Sequence, residues 1–358
     1  MTKLLVLPSM DPWSASTRYR ASQHVPRLRQ HFASVAISYP NDTVVRHPGR
    51  INRVRYFGIH SRRYMRRGIT VSRRVQSADA LLVQRGLYVM GPGPIVHPIE
   101  AFAGRVVFDL DDALFRLSPS LAAKSRAAQW LYGPHQALRL LRRADAIVVS
   151  TEVLANMLPH GLPEPAILPT VPDPMDYPIS ARDPEAPVVV GWAGTVGGLG
   201  YLDALRTVFQ RLKAEGLATV EVVSSRPWSG PASFHAWRLD ESISVFDRFS
   251  IGIMPLPDTD YTRAKAGFKL LQYMASGLPV VSSPVGVNRE LIMRSGAGYL
   301  ASAPGEWEDA LRRLAADPDL RAEMGLRGRA FVEGYADLKA QSQRLAELLT
   351  EASHPTVA

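Results

Sequence analysis

Residues 251–290 read IGIMPLPDTDYTRAKAGFKLLQYMASGLPVVSSPVGVNRE. Ile251–Met254 is short and apolar, and Pro255 closes it, which predicts a buried strand. A polar loop follows with Asp258, Asp260, Arg263 and Lys265. Gly267 then precedes a stretch with Phe268, Leu271 and Ala275 on one helical stripe, and Gly277 stops it. Pro279–Ser282 is a second apolar run, ended by a Pro-Val-Gly turn. A helix N-terminus presents unpaired N–H groups and about half a positive charge. Glycine lets a phosphate approach that backbone closely. Lys265 and Lys269 add charge at the same end. The segment reads as a diphosphate cradle; the plainer alternative is a helix cap with two solvated lysines.

The same alternation extends in both directions. Upstream, Val188–Trp192 and Thr219–Val223 predict strands and Tyr201–Ala214 a helix. Helices over 306–316, 319–334 and 337–351 close the chain. Residues 172–187 hold five Pro and few core residues, which marks a linker. Before it, Lys3–Leu7, Val35–Ser38, Ala80–Val83, Val106–Phe108 and Ala146–Val149 predict buried parallel strands, with helical spacing over Arg18–His31 and Ser118–Arg143. The expected fold class is α/β, with two Rossmann-like doubly wound domains facing a cleft. The expected boundaries are 1–172, a linker at 173–187, 188–336, and a C-terminal helix at 337–358 crossing back to the first domain.

Composition agrees. The 358 residues are 46% hydrophobic, 21% charged and 8% aromatic, which argues against disorder, collagen and coiled coil. With no Cys, disulfides, Cys-ligated metals and thiol nucleophiles are excluded. The first apolar run is too short for a signal-peptide core, and no stretch approaches the roughly 18 residues a membrane span needs. A cytoplasmic chain is expected.

The 251–290 segment resembles the donor-binding signature of the GT-B retaining glycosyltransferases of glycosyltransferase family 4, in the form of one bacterial branch. The match runs through Gly-Ile-Met-Pro-Leu-Pro-Asp, Phe-Lys-Leu-Leu-Gln-Tyr-Met-Ala and Pro-Val-Val-x-Ser-Pro-Val-Gly. Val188–Gly194 is similar to the first strand and loop of that family's nucleotide-binding domain, Pro169–Asp173 to its domain junction, and Val107–Leu114 to an N-domain loop. The resemblance implies a GT-B fold. It implies retaining transfer of a sugar from a nucleotide-diphosphate sugar to a hydroxyl of a glycan or lipid-linked acceptor, without a metal or other cofactor. Envelope or exopolysaccharide synthesis fits that branch.

The family's Glu-x7-Glu hallmark is altered: its second Glu falls on Gln272 and its first on Ala264. The loop after the first strand of the second domain, Thr195–Gly200, lacks the family's Arg and Lys clamp. Lys265, with Arg263 or Lys269, is therefore expected to supply that charge. The donor set becomes Gly194, Thr195, Gly197, Arg263, Lys265, Gly267, Phe268, Lys269 and Gln272.

Asp109, Asp111 and Asp112 follow a predicted strand. Clustered carboxylates there fit a metal site, a general base or electrostatic support, and a helix N-cap is the plainer reading. Phe-Asp-Leu-Asp-Asp-Ala-Leu also resembles a haloacid-dehalogenase nucleophile motif, with Ala113 where its Thr would stand. The favoured reading is an acceptor loop: Asp111 and Asp112, with Lys265 at the leaving group, form the expected catalytic set. Ser16, Arg18 and Arg20 in the loop after the first strand, Arg85 after the third, and Asp109 complete the expected acceptor contacts.

Net charge is +9, and residues 43–78 alone hold ten Arg and no Asp or Glu. Interleaved with Tyr56, Phe57, Ile59, Tyr64, Met65 and Ile69, the 46–74 stretch suits an anionic membrane surface, hence a peripheral position on the inner membrane face. A solvated basic face is the alternative, and nucleic acid is not expected. The His residues show no metal-ligand spacing. A sugar-nucleotide epimerase of the same fold, and a glycosyltransferase-like protein that binds without catalysis, are the alternative functions.

Overall fold

A computed structural model describes residues 2–40, 65–87, 96–117, 125–126, 129–130, 134–179 and 183–351. The chain divides into two compact units, one of residues up to Thr170 and from Leu338 onward, the other Val171–Asp337.

The first unit is a six-stranded, all-parallel sheet in the order β2-β1-β3-β4-β5-β6. Its strands are β1 (Lys3–Pro8), β2 (Ser34–Ile37), β3 (Ala80–Gln84), β4 (Arg105–Leu110), β5 (Ala146–Val149) and β6 (Ala166–Ile167). β1, β3, β4 and β5 are nearly continuous apolar runs because helices cover both faces of a parallel sheet. The strand order reverses between β1 and β3, and the loops beyond their carboxyl ends carry Ser16 and Arg85.

The second unit repeats the plan with β7 (Val189–Ala193), β8 (Thr219–Ser224), β9 (Ser233–Ala236), β10 (Ile251–Met254), β11 (Val280–Ser282) and β12 (Gly298–Leu300). Its order is β12-β11-β10-β7-β8-β9, all parallel. Counted from β7, this is the strand order of a dinucleotide-binding sheet seen from its far edge. The reversal lies between β7 and β10, where Val190 faces Ile251. Gly194 and Thr195 follow the first of these strands, and the 255–267 loop follows the second.

Four differences from the sequence reading have physical causes. The edge strands β6, β9 and β12 carry no apolar run because they are only partly buried. The helical spacing over Arg18–His31 breaks into Ala15–Arg20, a 3-10 turn at Ser22–His24 and Val25–Leu28. Ala21 departs from helical geometry (φ −126°, ψ −63°), and Pro26, which has no N–H, opens the last piece. Val196–Leu205 is a 3-10 stretch, so the α-helix before β8 is only Arg206–Ala214. Tyr177, inside the proline-rich segment, is 1% exposed and packs on Phe246 of the second unit. Arg329 donates to its carbonyl and, at 2.7 Å, to that of Ala275.

The helix Leu338–Thr350 packs in the first unit, with Leu345, Ala346, Leu348 and Leu349 against Leu4, Val6, Leu82 and Val107. Ser342 Oγ donates to Leu338 O at 2.8 Å, so it accepts the Nδ1–H of buried His24 at 2.9 Å. Burial, with Arg20 and Arg27 nearby, lowers that imidazole to about 3 and keeps it neutral.

Candidate functional site

In the second unit the candidate donor residues surround the β7–β10 reversal. Gly267 (φ 65°) is left-handed, and a Cβ there would stand 2.7 Å from Leu291 Cδ1 and 2.9 Å from Val287 Cγ1. Only glycine fits, and it turns the chain into the helix Phe268–Ala275. As the second residue of that helix, Lys269 lies against the face of Trp192 on β7, its Nζ 5.1 Å from the ring centroid. The stem crosses Gly194, where a Cβ would come within 2.8 Å of Lys269 Cε and 2.6 Å of the Trp192 ring. Burial, then the nearby Lys265, pull the Lys269 amine down to about 8. Lys265 Nζ stands 4.5 Å from the centroid of the Tyr261 ring. Among the described residues neither lysine makes an ion pair with a carboxylate. Two adjacent ammonium groups without acids are unfavourable alone and complementary to an anion such as a diphosphate.

The other expected donor residues are placed as follows. Phe268 opens the helix, and Thr195 and Gly197 sit at the start of the 3-10 stretch. Arg263 is taken up by Asp258, at 2.6 and 3.1 Å, with Asp260 at 3.7 Å. That pair is exposed, so it is weak and can be redirected. Gln272 Nε2 donates to Tyr177 Oη at 2.9 Å. Ala264 is a buried methyl group, 2% exposed, so no carboxylate comes from that position.

In the first unit the expected acceptor residues gather at the carboxyl ends of β3 and β4. Arg20 and Asp109, both read as acceptor contacts, instead hold each other. Arg20 Nη2 reaches Asp109 Oδ1 and Nε reaches Oδ2 at 3.1 Å, with the side chains 4% and 3% exposed. Arg20 Nη1 also donates to Leu168 O and to Thr170 Oγ1 at 3.4 Å, so this guanidinium has no face left for a ligand. Burial pushes the Asp109 carboxyl up, and Arg20 opposes it. Arg18 lies over the Tyr19 ring at 5.0 Å.

Asp111 and Asp112 are held by one cation. Arg85 Nη1 donates to Asp111 Oδ1 at 2.6 Å and to Asp112 Oδ2 at 2.9 Å. Ser16 Oγ donates to Asp111 Oδ2, and Gln84 Nε2 donates to Ser16 Oγ at 2.6 Å. Burial works against ionisation of Asp111, but Arg85, the Ser16 hydroxyl and Arg20 outweigh it and hold its carboxyl below the usual range. Arg85 is the one non-glycine described residue with positive φ, 63°, a conformation costing roughly 1–2 kcal/mol. Flanking bonds impose it: Arg85 N donates to Asp109 O at 2.8 Å, and Leu87 N to Gln136 Oε1 at 2.6 Å.

The basic segment divides. Arg46, Arg50, Arg53, Arg55, Arg62 and Arg63 lie outside the described residues, as do Tyr56, Phe57, Ile59 and Tyr64. Residues 65–75 are helical, with Met65, Arg66, Ile69, Arg73 and Arg74 exposed. Arg67 points the other way. It is buried and donates to Leu87 O (3.1 Å), Ser38 Oγ (2.8 Å), Tyr39 O (3.0 Å) and Pro8 O (3.1 Å). It thereby ties together the chain after β1, β2 and β3, a structural role that charge counting hides. Among the described residues no three His, Asp or Glu side chains converge as metal ligands, and no helix is long and apolar enough to cross a membrane.

Residues 204–317 match the family model described as Glycosyl transferases group 1. That match lies within the second unit and covers about a third of the chain, and the fold of the chain is GT-B. Similar solved structures agree on that fold. Sucrose-phosphate synthase from Thermosynechococcus elongatus is 13% identical, with a TM-score of 0.68 over 97% of this chain and 98% of its own. Anabaena HepE in complex with UDP and glucose is 15% identical, with a TM-score of 0.63 over 98% and 100%. WaaG, a glycosyltransferase involved in lipopolysaccharide biosynthesis, is 13% identical, with a TM-score of 0.61 over 98% and 100%. No curated protein matches the sequence. The matched segment contains the five strands β8 to β12 and the whole 251–290 stretch, including both lysines.

Proposed function

We propose that the chain is a glycosyltransferase that moves a sugar from a nucleotide-diphosphate sugar to a hydroxyl acceptor. The observation that carries this reading is the Lys265–Lys269 pair at a glycine-capped helix start, beside the strand-order reversal of the second unit and inside the group 1 match. A leaving diphosphate develops charge as the glycosidic bond breaks, and fixed cations and helix N–H groups stabilise it without reorganising. Phe268–Ala275 supplies the N–H groups, Lys265 and Lys269 the charge, Gln272 a contact for ribose hydroxyls. The first unit binds the acceptor, with Asp111 and Asp112 toward the reacting hydroxyl. The pair of lysines does the work that a divalent cation does elsewhere, so the transfer is metal-independent. Retention of the anomeric configuration and a glycan or lipid-linked acceptor follow the family resemblance. The exposed basic face around Arg66 and Arg73 suits an anionic membrane surface, the docking side of a peripheral enzyme.

HepE is described in complex with UDP and glucose, which makes UDP-sugars the first donors to try. The test is incubation with UDP-, GDP-, ADP- and dTDP-sugars and a mixed acceptor pool, in EDTA, reading nucleoside diphosphate release and product anomer. Release from one donor class with a retained anomer supports the reading. Ala264, in place of the family's Glu, favours a second one, binding without transfer. Nucleotide binding with no diphosphate released from any donor selects it, and isomerised donor without transfer selects an epimerase.

A further inference from the structure

The two strands at the reversal of the second unit separate early. β7 and β10 pair only at Val190–Ile251 and Gly191–Gly252. Pro255, just past β10, has no N–H with which to extend the ladder. Successive N–H groups of a strand point to opposite neighbours. Gly194 N donates to Val223 O of β8 at 2.9 Å, so Ala193 N points to the β10 side. Tyr273 meets it there: its Oη accepts the Ala193 N–H at 3.0 Å. The hydroxyl thus stands in for a sheet bond at the point where the crevice of the reversal opens. The ring reaches that point across β10, over Gly252, where a Cβ would stand 2.5 Å from Tyr273 Cγ. Phe246 and Phe249 pack edge-on against it, with centroids 5.6 and 6.4 Å away, and Tyr273 is 0% exposed. Tyr273 and Lys269 are four residues apart on the helix Phe268–Ala275, hence on one face. Both reach β7: Lys269 lies on the Trp192 ring, and Tyr273 holds the N–H of the next residue. Burial pushes the Tyr273 hydroxyl up, so it stays protonated while Lys269 titrates.

We propose that Tyr273 is a positioning residue of the donor site: its hydroxyl fixes the Ala193–Gly194 backbone, and with it the Trp192 ring, as the floor on which Lys269 lies. The inference rests on the proposed transferase reading only in naming the anion that Lys269 meets a nucleoside diphosphate. Packing alone asks for the ring, which Phe would supply. The hydroxyl adds a bond to a backbone donor one residue before Gly194, the glycine that the Lys269 stem crosses. Without it Ala193 N loses its acceptor, and the turn that carries Gly194 can move off Lys269. Lys265 is the charged group that bears on the Lys269 amine, and a change at Tyr273 leaves it in place.

The experiment compares wild type, Tyr273→Phe, Lys269→Gln and the double variant, each as the full chain. Tyr273→Phe keeps the ring on which Phe246 and Phe249 pack, so it folds, which circular dichroism and a melting curve check. Without nucleotide, lysine side chains labelled with carbon-13 at Cε are followed by NMR as the pH is raised. The Lys269 signal is the one missing from Lys269→Gln. In wild type it titrates at about 8. In Tyr273→Phe its midpoint is expected to rise by about half a pH unit or more, because the amine loses its buried seat. UDP, GDP, ADP and dTDP are then titrated into all four proteins. The diphosphate that binds wild type is expected to bind Tyr273→Phe at least about fivefold more weakly, and the same change made in Lys269→Gln to cost little further, since residues acting through one contact are not additive. An unmoved Lys269 midpoint in Tyr273→Phe overturns the proposal, whatever the melting temperature does. A loss of affinity by the same factor in both backgrounds overturns it too. No diphosphate binding by wild type, with the Lys269 midpoint still displaced in Tyr273→Phe, refutes the donor reading and upholds the positioning of Lys269.

Discussion

Lys269 lies on the ring face of Trp192, its ammonium 5.1 Å from the ring centroid, and its stem passes over a glycine that leaves no room for a methyl group. An amine pulled down to about 8 by burial and by Lys265 is costly in the empty protein. Its folded pKa lies below its unfolded one, so the unfolded chain binds more protons between the two values and stability rises with pH across that window. The penalty is fully present below pH 8. Lys269→Met is expected to stabilise the empty protein by about 1 kcal/mol at pH 7 while abolishing nucleotide affinity. Chemical denaturation at pH 7 and pH 10 checks this: the gain shrinks at the higher pH.

The same group is expected to set the pH dependence of nucleotide binding. A diphosphate prefers the charged amine, so affinity is expected to fall as pH rises above about 8, toward tenfold per pH unit. Lys269→Arg, which stays charged, flattens the profile. Isothermal titration at several pH values reads both.

Gly194→Ala places a methyl group 2.8 Å from Lys269 Cε and 2.6 Å from the Trp192 ring. Overpacking of this kind costs roughly 1–3 kcal/mol. Nucleotide affinity should drop at least tenfold, whereas Gly200→Ala, with open space around it, should leave affinity unchanged.

Much of this organisation is legible in the sequence. Apolar runs such as Leu4–Leu7 and Ile251–Met254 announce central strands because both faces of a parallel sheet are covered. β6, β9 and β12 are short, only partly buried strands and leave no such run. The Gly267–Gln272 stretch is legible because a local turn and helix create it. The Arg20–Asp109 pair spans 89 residues, and Lys269 meets Trp192 across a helix–sheet contact; no spacing rule encodes either. Arg67 shows the limit most directly, since a buried strut and a surface cation look alike in sequence.

That contrast is itself testable. Arg67→Ala strands carbonyls of Pro8, Tyr39 and Leu87, and is expected to cost about 3 kcal/mol or more, through loss of several buried charge-assisted bonds. Arg66→Ala, one residue earlier and exposed, should change stability by no more than about 0.5 kcal/mol. Urea melts of the two variants compare them.

Gln272→Glu returns the family's carboxylate to a position whose amide now donates to Tyr177 Oη at 2.9 Å. The Tyr177 hydroxyl can reverse and donate to a carboxylate. A charge-assisted bond to a ribose hydroxyl should tighten nucleotide binding severalfold. The matching deoxyribonucleotide should gain less.

The most direct measurement of the central claim is calorimetric titration of UDP, GDP, ADP and dTDP into the wild-type chain and into Lys269→Gln, each with Mg²⁺ and with EDTA. The account predicts that one diphosphate binds the wild type equally well in both buffers, and that Lys269→Gln loses at least tenfold. No binding by any diphosphate, binding only with Mg²⁺, or equal affinity in Lys269→Gln would contradict it.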